Sequence, residues 1–478
     1  MKASIFTPDI ERVKKLDARE ATHLVRDLLY CGALSMRLSE VVISERINAK
    51  DGGIDAKVIA EAAVPGGQAV SFHFQIKSGD SFEPWQAAVT LKEIFGKSNV
   101  DVSKDRLGAA VKRCLDTNGV YVLVASGHDL LPEEHSKAEA HLRKAFADCG
   151  YPNAEVKVWG AGKLASLLRS YPSLSLELNG IKDGEFETVR QWGTRSDLGG
   201  ALAIGDAQKR FMKRLVDILR GDAIQHARVI GEPGCGKTRL ALETIRGSDD
   251  LAARCVYVAS SAALLRSGAL LTELINEERG YWTILVVDEC DEADRATIYN
   301  VVKGKERIKL VTIDHGPEMS RDISMETIEF PKLADKEIGA ILGAYIPGSG
   351  DLHNWTEWCK GSARAAHVLG ENLALHPEDI LKSPATVNVW DRFVIGYKRA
   401  DSHDAQRLLT EMRHIALFSK FGFKKPVHME GKFVGQLAKR VDGSITKGAF
   451  ERDVARFVKR RILQVRIPAI VTGHSGRS

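Results

Sequence analysis

The sequence has no long apolar run, no paired cysteines, no internal repeat and no large excess of either charge. Each absence excludes something. No stretch approaches the roughly 18 uninterrupted apolar residues of a membrane-spanning helix, so no membrane association is expected. Met1 to Glu20 alternates charge with short apolar pieces and lacks the apolar core of a signal peptide. The seven cysteines are scattered without a Cys-x-x-Cys pair, which argues against a disulfide frame or zinc site and for reduced thiols in a cytoplasmic protein. A composition of 44% apolar and 27% charged residues, with no low-complexity tract, excludes a mostly disordered or fibrous chain.

What is present is length: 478 residues predict roughly three domains at about 150 residues each. The net charge of +5 is unevenly spread. Asp391 to Ser478 holds 19 Lys/Arg and 8 Asp/Glu, a net of +11, which leaves −6 on the rest. Such a basic region either faces nucleic acid or an acidic partner, or is a solvated surface.

Two α/β segments and a helical one are expected. In the first, residues 1–170, Ala18 to Tyr30 has helical spacing. Strand-like runs follow at Ile54 to Ala60 and Ala69 to Lys77, around a Pro65-Gly66-Gly67 turn. Helices near Ala87 to Phe95 and Lys104 to Leu115, then strands Val120 to Ala125 and Ala154 to Trp159 around a helix, extend the pattern. Periodicity fades over 171–200, which predicts a linker. Over 201–385 strands alternate with helices, including Ala262 to Asn276, and predict a parallel sheet. Residues 386–478 read as short helices.

Gly231-Glu-Pro-Gly-Cys-Gly-Lys-Thr238 fits G-x-x-x-x-G-K-[ST] between an apolar strand and an amphipathic helix. Gly231, Gly234 and Gly236 let the backbone aim its N–H groups at phosphate oxygens, with Pro233 and Cys235 completing the loop and Arg239 just past it. Lys237 is expected on the β and γ phosphates, and Thr238 on Mg²⁺. The apolar strand Thr283 to Asp288 ends in two carboxylates and is expected beside this loop, with Asp288 holding the metal and Glu289 polarising water. ATP and Mg²⁺ are the cofactors implied.

Asp51-Gly-Gly-Ile-Asp55 precedes Phe72-His-Phe-Gln75-Ile-Lys77. Strand alternation puts Gln75 and Lys77 on one face. A carboxylate and a second oxygen ligand suit a divalent cation, and a lysine beside them can orient an attacking water. This constellation resembles the Q-x-K variant of the PD-(D/E)xK nucleases, most of all their Mrr type. The resemblance spans roughly residues 10–130 and implies a restriction-endonuclease-like domain with Asp55, Gln75 and Lys77 catalytic. It implies that Glu20, on the first helix, joins Asp55 and Gln75 at the metal. The chain departs from the pattern in lacking Pro-Asp and in carrying Gln75 for an acid.

Trp358-Cys-Lys-Gly-Ser-Ala-Arg364 resembles the Gly-x-Pro segment of STAND ATPases (signal-transduction ATPases with numerous domains), with Ala363 at the proline position. Arg364 either senses the γ-phosphate or is a surface helix arginine. Asp314-His315 stands where many related ATPases place a sensor arginine. Leu408 to Phe423 and Phe450 to Gln464 look like parts of a winged helix, an element that in such ATPases holds the closed state. The order nuclease, STAND NTPase, winged helix resembles the antiviral STAND (Avs) defence proteins. That resemblance implies an ATP-regulated endonuclease cutting double-stranded DNA, activated by oligomerisation (tetramers in relatives), with a foreign phage protein as trigger. The family continues into a helical-repeat sensor, so a chain stopping at Ser478 is expected to be shortened or to use a separate sensor chain. The alternative is a nucleotide-switched scaffold with a non-catalytic nuclease-like domain. A DNA-translocating restriction enzyme ranks last, since no second motor domain is visible.

Overall fold

The computed structural model describes residues 5–459 except 33, 35–37, 44–53, 62–68, 96–105, 182–185, 196–199, 233, 277–280, 315, 317–324, 349, 351, 383–390, 392–393, 395–401 and 418–427. Two sheets organise it. The first runs in the order β1 (Leu38–Ile43), β2 (Ala56–Ala60), β3 (Val70–Lys77), β4 (Val120–Ala125), β5 (Val156–Gly160). β1, β2 and β3 form an antiparallel meander, and β3, β4 and β5 are parallel. Parallel neighbours require crossovers. Helices Ala87–Phe95 and Ala109–Asp116 make one, and Pro132–Asp148 makes the next.

Alternation along β3 divides the layers. Phe72, Phe74 and Ile76 pack with Ala21, Val25, Leu28 and Leu29 of helix Ala18–Tyr30. Tyr121 and Leu123 of β4 pack on the other face with Ile94, Phe95, Leu142 and Phe146. Gln75 and Lys77 have the opposite parity to Phe74 and Ile76, so they share that second face. β1 was not expected from the sequence. It is an edge strand with Val42 half exposed, so no clean apolar alternation marks it.

The second sheet runs β11 (Met325–Glu329), β7 (His226–Ile230), β10 (Ile308–Asp314), β9 (Thr283–Val287), β8 (Cys255–Val258), β6 (Glu187–Thr188). All pairs are parallel except β6 with β8. β9 and β10 are buried along their whole length, which explains the apolar run Ile284 to Val287 of β9, while β10 also buries Lys309, Thr312 and Asp314. The chain passes from β7 out to β8, returns through β9 and β10, then crosses to β11. The loop after β7 therefore lies where the strand order reverses, the usual place for a ligand in an open α/β sheet.

Two expectations need correction. The stretch 171–200 is packed where it is described. Helix Pro172–Leu178 and β6 dock on the second sheet, and fully buried Trp192 stacks on Tyr257 with centroids 4.1 Å apart. These elements are too short to show periodicity. The single expected helix Ala262 to Asn276 is two, Ser261–Ser267 and Ala269–Ile275, broken at Gly268 with φ +56°.

Helices Asp335–Tyr345, His353–Trp358 and Ala363–Leu375 bury Ile338, Leu342, Trp355 and Leu369 together. Helices His403–Ile415, His428–Val441 and Lys447–Lys459 enclose another core of Leu408, Leu409, Val434, Ala438, Phe450 and Phe457. The remaining winged-helix resemblance, 418–423 and 460–464, the Pro65-Gly-Gly turn and Asp51 to Gly53 lie outside the described residues, as does the tail after 459. Among the described residues no helix is long and apolar enough to cross a membrane.

Candidate functional site

The phosphate loop is built on backbone conformation. Gly234 (φ +78°) and Gly236 (φ +108°) take left-handed geometry that a side chain would strain. A Cβ at Gly234 would also stand 3.0 Å from the Cβ of Arg364. Pro233 lies outside the described residues. Gly236 caps helix Lys237–Arg246, so the helix aims its first-turn N–H groups and positive end at the loop. Gly231 packs on Phe330, and buried Cys235 has its thiol pKa raised by burial.

Lys237 is buried and folds back, donating from Nζ to the carbonyls of Gly231 (2.7 Å) and Glu232 (2.8 Å). Burial lowers its pKa, against the nearby charges of Cys235, Asp288 and Asp314. An anion in the loop would give this ammonium a full counter-charge. Thr238 Oγ1 donates to Asp288 Oδ2 at 2.6 Å, and Tyr257 OH donates to the same oxygen at 3.2 Å. Burial raises the pKa of Asp288 despite these donors, which marks a carboxylate short of positive charge. A hydroxyl and such a carboxylate fit Mg²⁺, which takes oxygen ligands. β9 was expected beside the loop. β10 stands between it and β7, and the Thr238 side chain spans the gap.

Glu289 follows with φ +44°, a conformation shared among described non-glycine residues only with Asn118 and Lys360. Its N–H donates to Asp288 Oδ1 at 2.8 Å and its carbonyl accepts from Ser261. Strained backbone of this kind is commonly found at functional sites. Arg239 pairs with Glu243 one turn along its helix, at 2.9 Å.

Asp314, at the end of β10, is not a sensor exposed to ligand. It accepts from Arg228 (2.8 and 2.9 Å), Arg295 (3.0 Å) and the Gly316 N–H (2.7 Å), with Arg228 1% and Asp314 8% exposed. Burial alone would raise its pKa, and these donors bring it below the usual range. His315 lies outside the described residues.

The Gly361-Ser-Ala-Arg364 segment docks on the loop. Gly361 has φ +77°, and a Cβ there would meet the Leu333 carbonyl at 2.9 Å. Ser362 caps the next helix by accepting from the Ala365 N–H. Ala363 thus occupies the first helical position, where proline is favoured. The Arg364 N–H, in the first turn of that helix, donates to the Gly234 carbonyl at 3.0 Å. A cavity of about 360 Å³ lies against the loop, lined by Glu232, Cys235, Glu329, Phe330, Pro331 and Lys332.

A second constellation sits at the end of β3. Asp55 N–H donates to the Phe74 carbonyl (2.8 Å), and Asp55 Oδ2 accepts from the Ile76 N–H (2.6 Å). That fixes its carboxylate beside Gln75 and Lys77. Both also meet a residue the sequence did not single out, Glu93 of helix Ala87–Phe95. Its Oε1 accepts from Gln75 Nε2 (2.6 Å) and Lys77 Nζ (2.5 Å). Tyr121 OH donates to Gln75 Oε1. Burial pushes the Tyr121 pKa well up, aided by the charges of Glu93 and Asp55. Glu20 is placed elsewhere. Its helix packs on the opposite face of β3, and its exposed carboxylate accepts from the Asp17 N–H (3.0 Å) in a capping box. Glu93 carries no motif; only its position eighteen residues beyond Gln75, on the crossover helix from β3, could have pointed to it.

No protein-family model matches the chain, and no curated protein matches it. It is similar to the solved structure of the Aeropyrum pernix Orc1 protein in complex with DNA, at 15% identity over 59% of this chain and 90% of that one, TM-score 0.33. Cdc6p of Pyrobaculum aerophilum is 16% identical over 56% and 92%, TM-score 0.29. The FIGL-1 AAA domain in complex with ADP is 14% identical over 59% and 95%, TM-score 0.30. With scores this low, the site stands on its own geometry.

Proposed function

We propose that the chain is an ATP-regulated, metal-dependent DNA endonuclease of the STAND antiphage type. The observation that carries the nucleotide half is the Thr238–Asp288 contact at 2.6 Å beside buried Lys237. In this reading the loop N–H groups and Lys237 hold the phosphates, the nearby cavity takes the nucleoside, and Glu289 orients water. Mg²⁺ held by Thr238 and Asp288 would offset phosphate charge. The Arg364 N–H bonded to Gly234 ties the helical segment 335–375 to the loop, so a nucleotide that moves the loop also moves that segment. ATP shifts the switch only by binding one state more tightly.

The nuclease half rests on Asp55, Lys77 and their pinned placement at one strand end. The Asp55 carboxylate is an oxygen donor of the kind Mg²⁺ takes. Lys77 would orient the attacking water and stabilise negative charge. Double-stranded DNA is the substrate, and oligomerisation would bring several such sites onto it. A plasmid-nicking assay with Mg²⁺ and ATP tests this. Wild type should cut, and Asp55→Ala and Lys77→Ala should not; equal degradation by all three would sink the assignment.

A second reading is a nucleotide-switched scaffold. The observation favouring it is that both ends of the Gln75 amide are already hydrogen-bonded within the protein. Calorimetric titration showing no Mg²⁺ or Mn²⁺ binding to Asp55 and its neighbours would establish it over the first.

A further inference from the structure

Gln75 stands where the resemblance asks for a metal-binding acid, yet its surroundings give it another task. It is 3% exposed. An amide has one acceptor oxygen and one donor nitrogen, whereas a carboxylate only accepts. The group facing Glu93 must therefore be Nε2, at 2.6 Å, which leaves Oε1 to the Tyr121 hydroxyl. A metal ligand would need that oxygen, and the tyrosine proton takes one of its two lone pairs and turns the amide so that Nε2 holds Glu93.

Glu93 is differently placed. Gln75 and Lys77 both bond to its Oε1, so Oε2 carries neither of these contacts. Asp55 is pinned two residues from Lys77 in register. The Tyr121 hydroxyl lies within the field of both carboxylates. Asp55 and Glu93 bring carboxylate oxygens to this strand end, and oxygen donors of this kind select Mg²⁺ or Mn²⁺. No group of three or more His, Cys, Asp or Glu side chains suited to a metal occurs among the described residues. A site of one or two carboxylates completed by substrate phosphate oxygens is the usual arrangement for Mg²⁺.

We propose that Glu93 is the second acidic ligand of the cation at the end of β3, and that Gln75 is a positioning residue that aims it. This rests on the endonuclease reading. It also gives the missing acid of the Q-x-K pattern a location: the carboxylate has moved from the strand to the helix packed over it. Tyr121, Gln75 and Glu93 form a buried-to-surface chain in which the tyrosine fixes the amide and the amide fixes the carboxylate.

Manganese binding to the full-length chain tests it, followed by electron paramagnetic resonance without nucleotide. A Thr238→Ala background silences the phosphate-loop cation site. Glu93→Gln should weaken Mn²⁺ binding at least tenfold, as should Asp55→Asn, with Glu93→Asp recovering part of the loss. Gln75→Ala should weaken it only about threefold, because the ligand stays but is no longer aimed. Tyr121→Phe, which keeps the ring packing, separates the roles by sign. If Gln75 only positions, losing the hydroxyl weakens binding slightly; if Gln75 is itself the ligand, its freed oxygen tightens binding. Tighter binding in Tyr121→Phe, or parental binding in Glu93→Gln alongside loss in Asp55→Asn, overturns the proposal and leaves the nuclease reading intact. Absence of Mn²⁺ binding in the parent, or parental binding in Asp55→Asn, overturns the nuclease reading and this proposal together.

Discussion

The two sites differ in how they are assembled. The phosphate loop is contiguous: eight residues between one strand and one helix supply the glycine conformations, the lysine and the hydroxyl. Asp288 and Glu289 join it from the end of β9, Tyr257 from β8, and the Arg364 N–H from a later helix. The site on the first sheet draws Asp55 from the residue just before β2, Gln75 and Lys77 from β3, Glu93 from a crossover helix and Tyr121 from β4. A contiguous site is encoded by local backbone preferences. A dispersed one exists only once sheet register and layer order are set. The first type should tolerate changes in distant packing, and the second should not.

The sharpest separation comes from paired disruptions. Lys237→Ala should lower affinity for a fluorescent ATP analogue at least 100-fold and leave Mn²⁺ binding at Asp55 unchanged. Asp55→Ala should do the reverse, and any cross-effect in a titration would mean the sites are coupled even at rest. Next in size is the buried triad under the loop. Asp314→Asn leaves Arg228 and Arg295 without their shared carboxylate, and removing one partner of a buried ion pair costs about 3–5 kcal/mol. Thermal unfolding should show that loss, and nucleotide affinity should fall with it.

Gly234→Ala probes the loop more finely. The left-handed φ and the close Arg364 side chain make strain of about 1–3 kcal/mol the expected result, read as roughly tenfold weaker nucleotide binding. A control on the sheet that carries the dispersed site, Val42→Thr on the exposed edge strand, should alter stability by less than about 0.5 kcal/mol.

A pH-dependent effect concerns Glu411 in the helical region, where nothing in the sequence marked a buried acid. It is fully buried, and burial, then Asp453, raise its pKa to about 8, against Arg407. The folded state then holds a proton that the unfolded state releases near its ordinary value. Stability from this group is present at low pH and is lost as pH rises through the interval up to about 8. Glu411→Gln should flatten that slope and raise the melting temperature by a few degrees at pH 8. An unchanged slope in a pH series of melting curves would show that the carboxylate is charged throughout.

Much of the architecture was legible. Helix Ala18–Tyr30, β3, β4 and the phosphate-loop strand and helix match their sequence periods, because each buries a face or a whole strand. Edge strand β1 and the pieces of 171–200 did not show, since short or half-exposed elements leave no periodic signal. Glu20 looked suitable in sequence because a helical acid early in the domain fits the pattern. The layer it packs on was not visible there.

By itself the sequence determined the phosphate loop, because glycine freedom, a helix start and a lysine at fixed spacing are local properties. It also determined that Gln75 and Lys77 share a face, because strand alternation is local too. Only the tertiary structure decided which acid meets them. That choice depends on which helix covers which side of β3, a matter of long-range burial that no short window of residues contains. It placed Glu93 within 2.6 Å of Gln75 and left Glu20 capping its own helix on the opposite face.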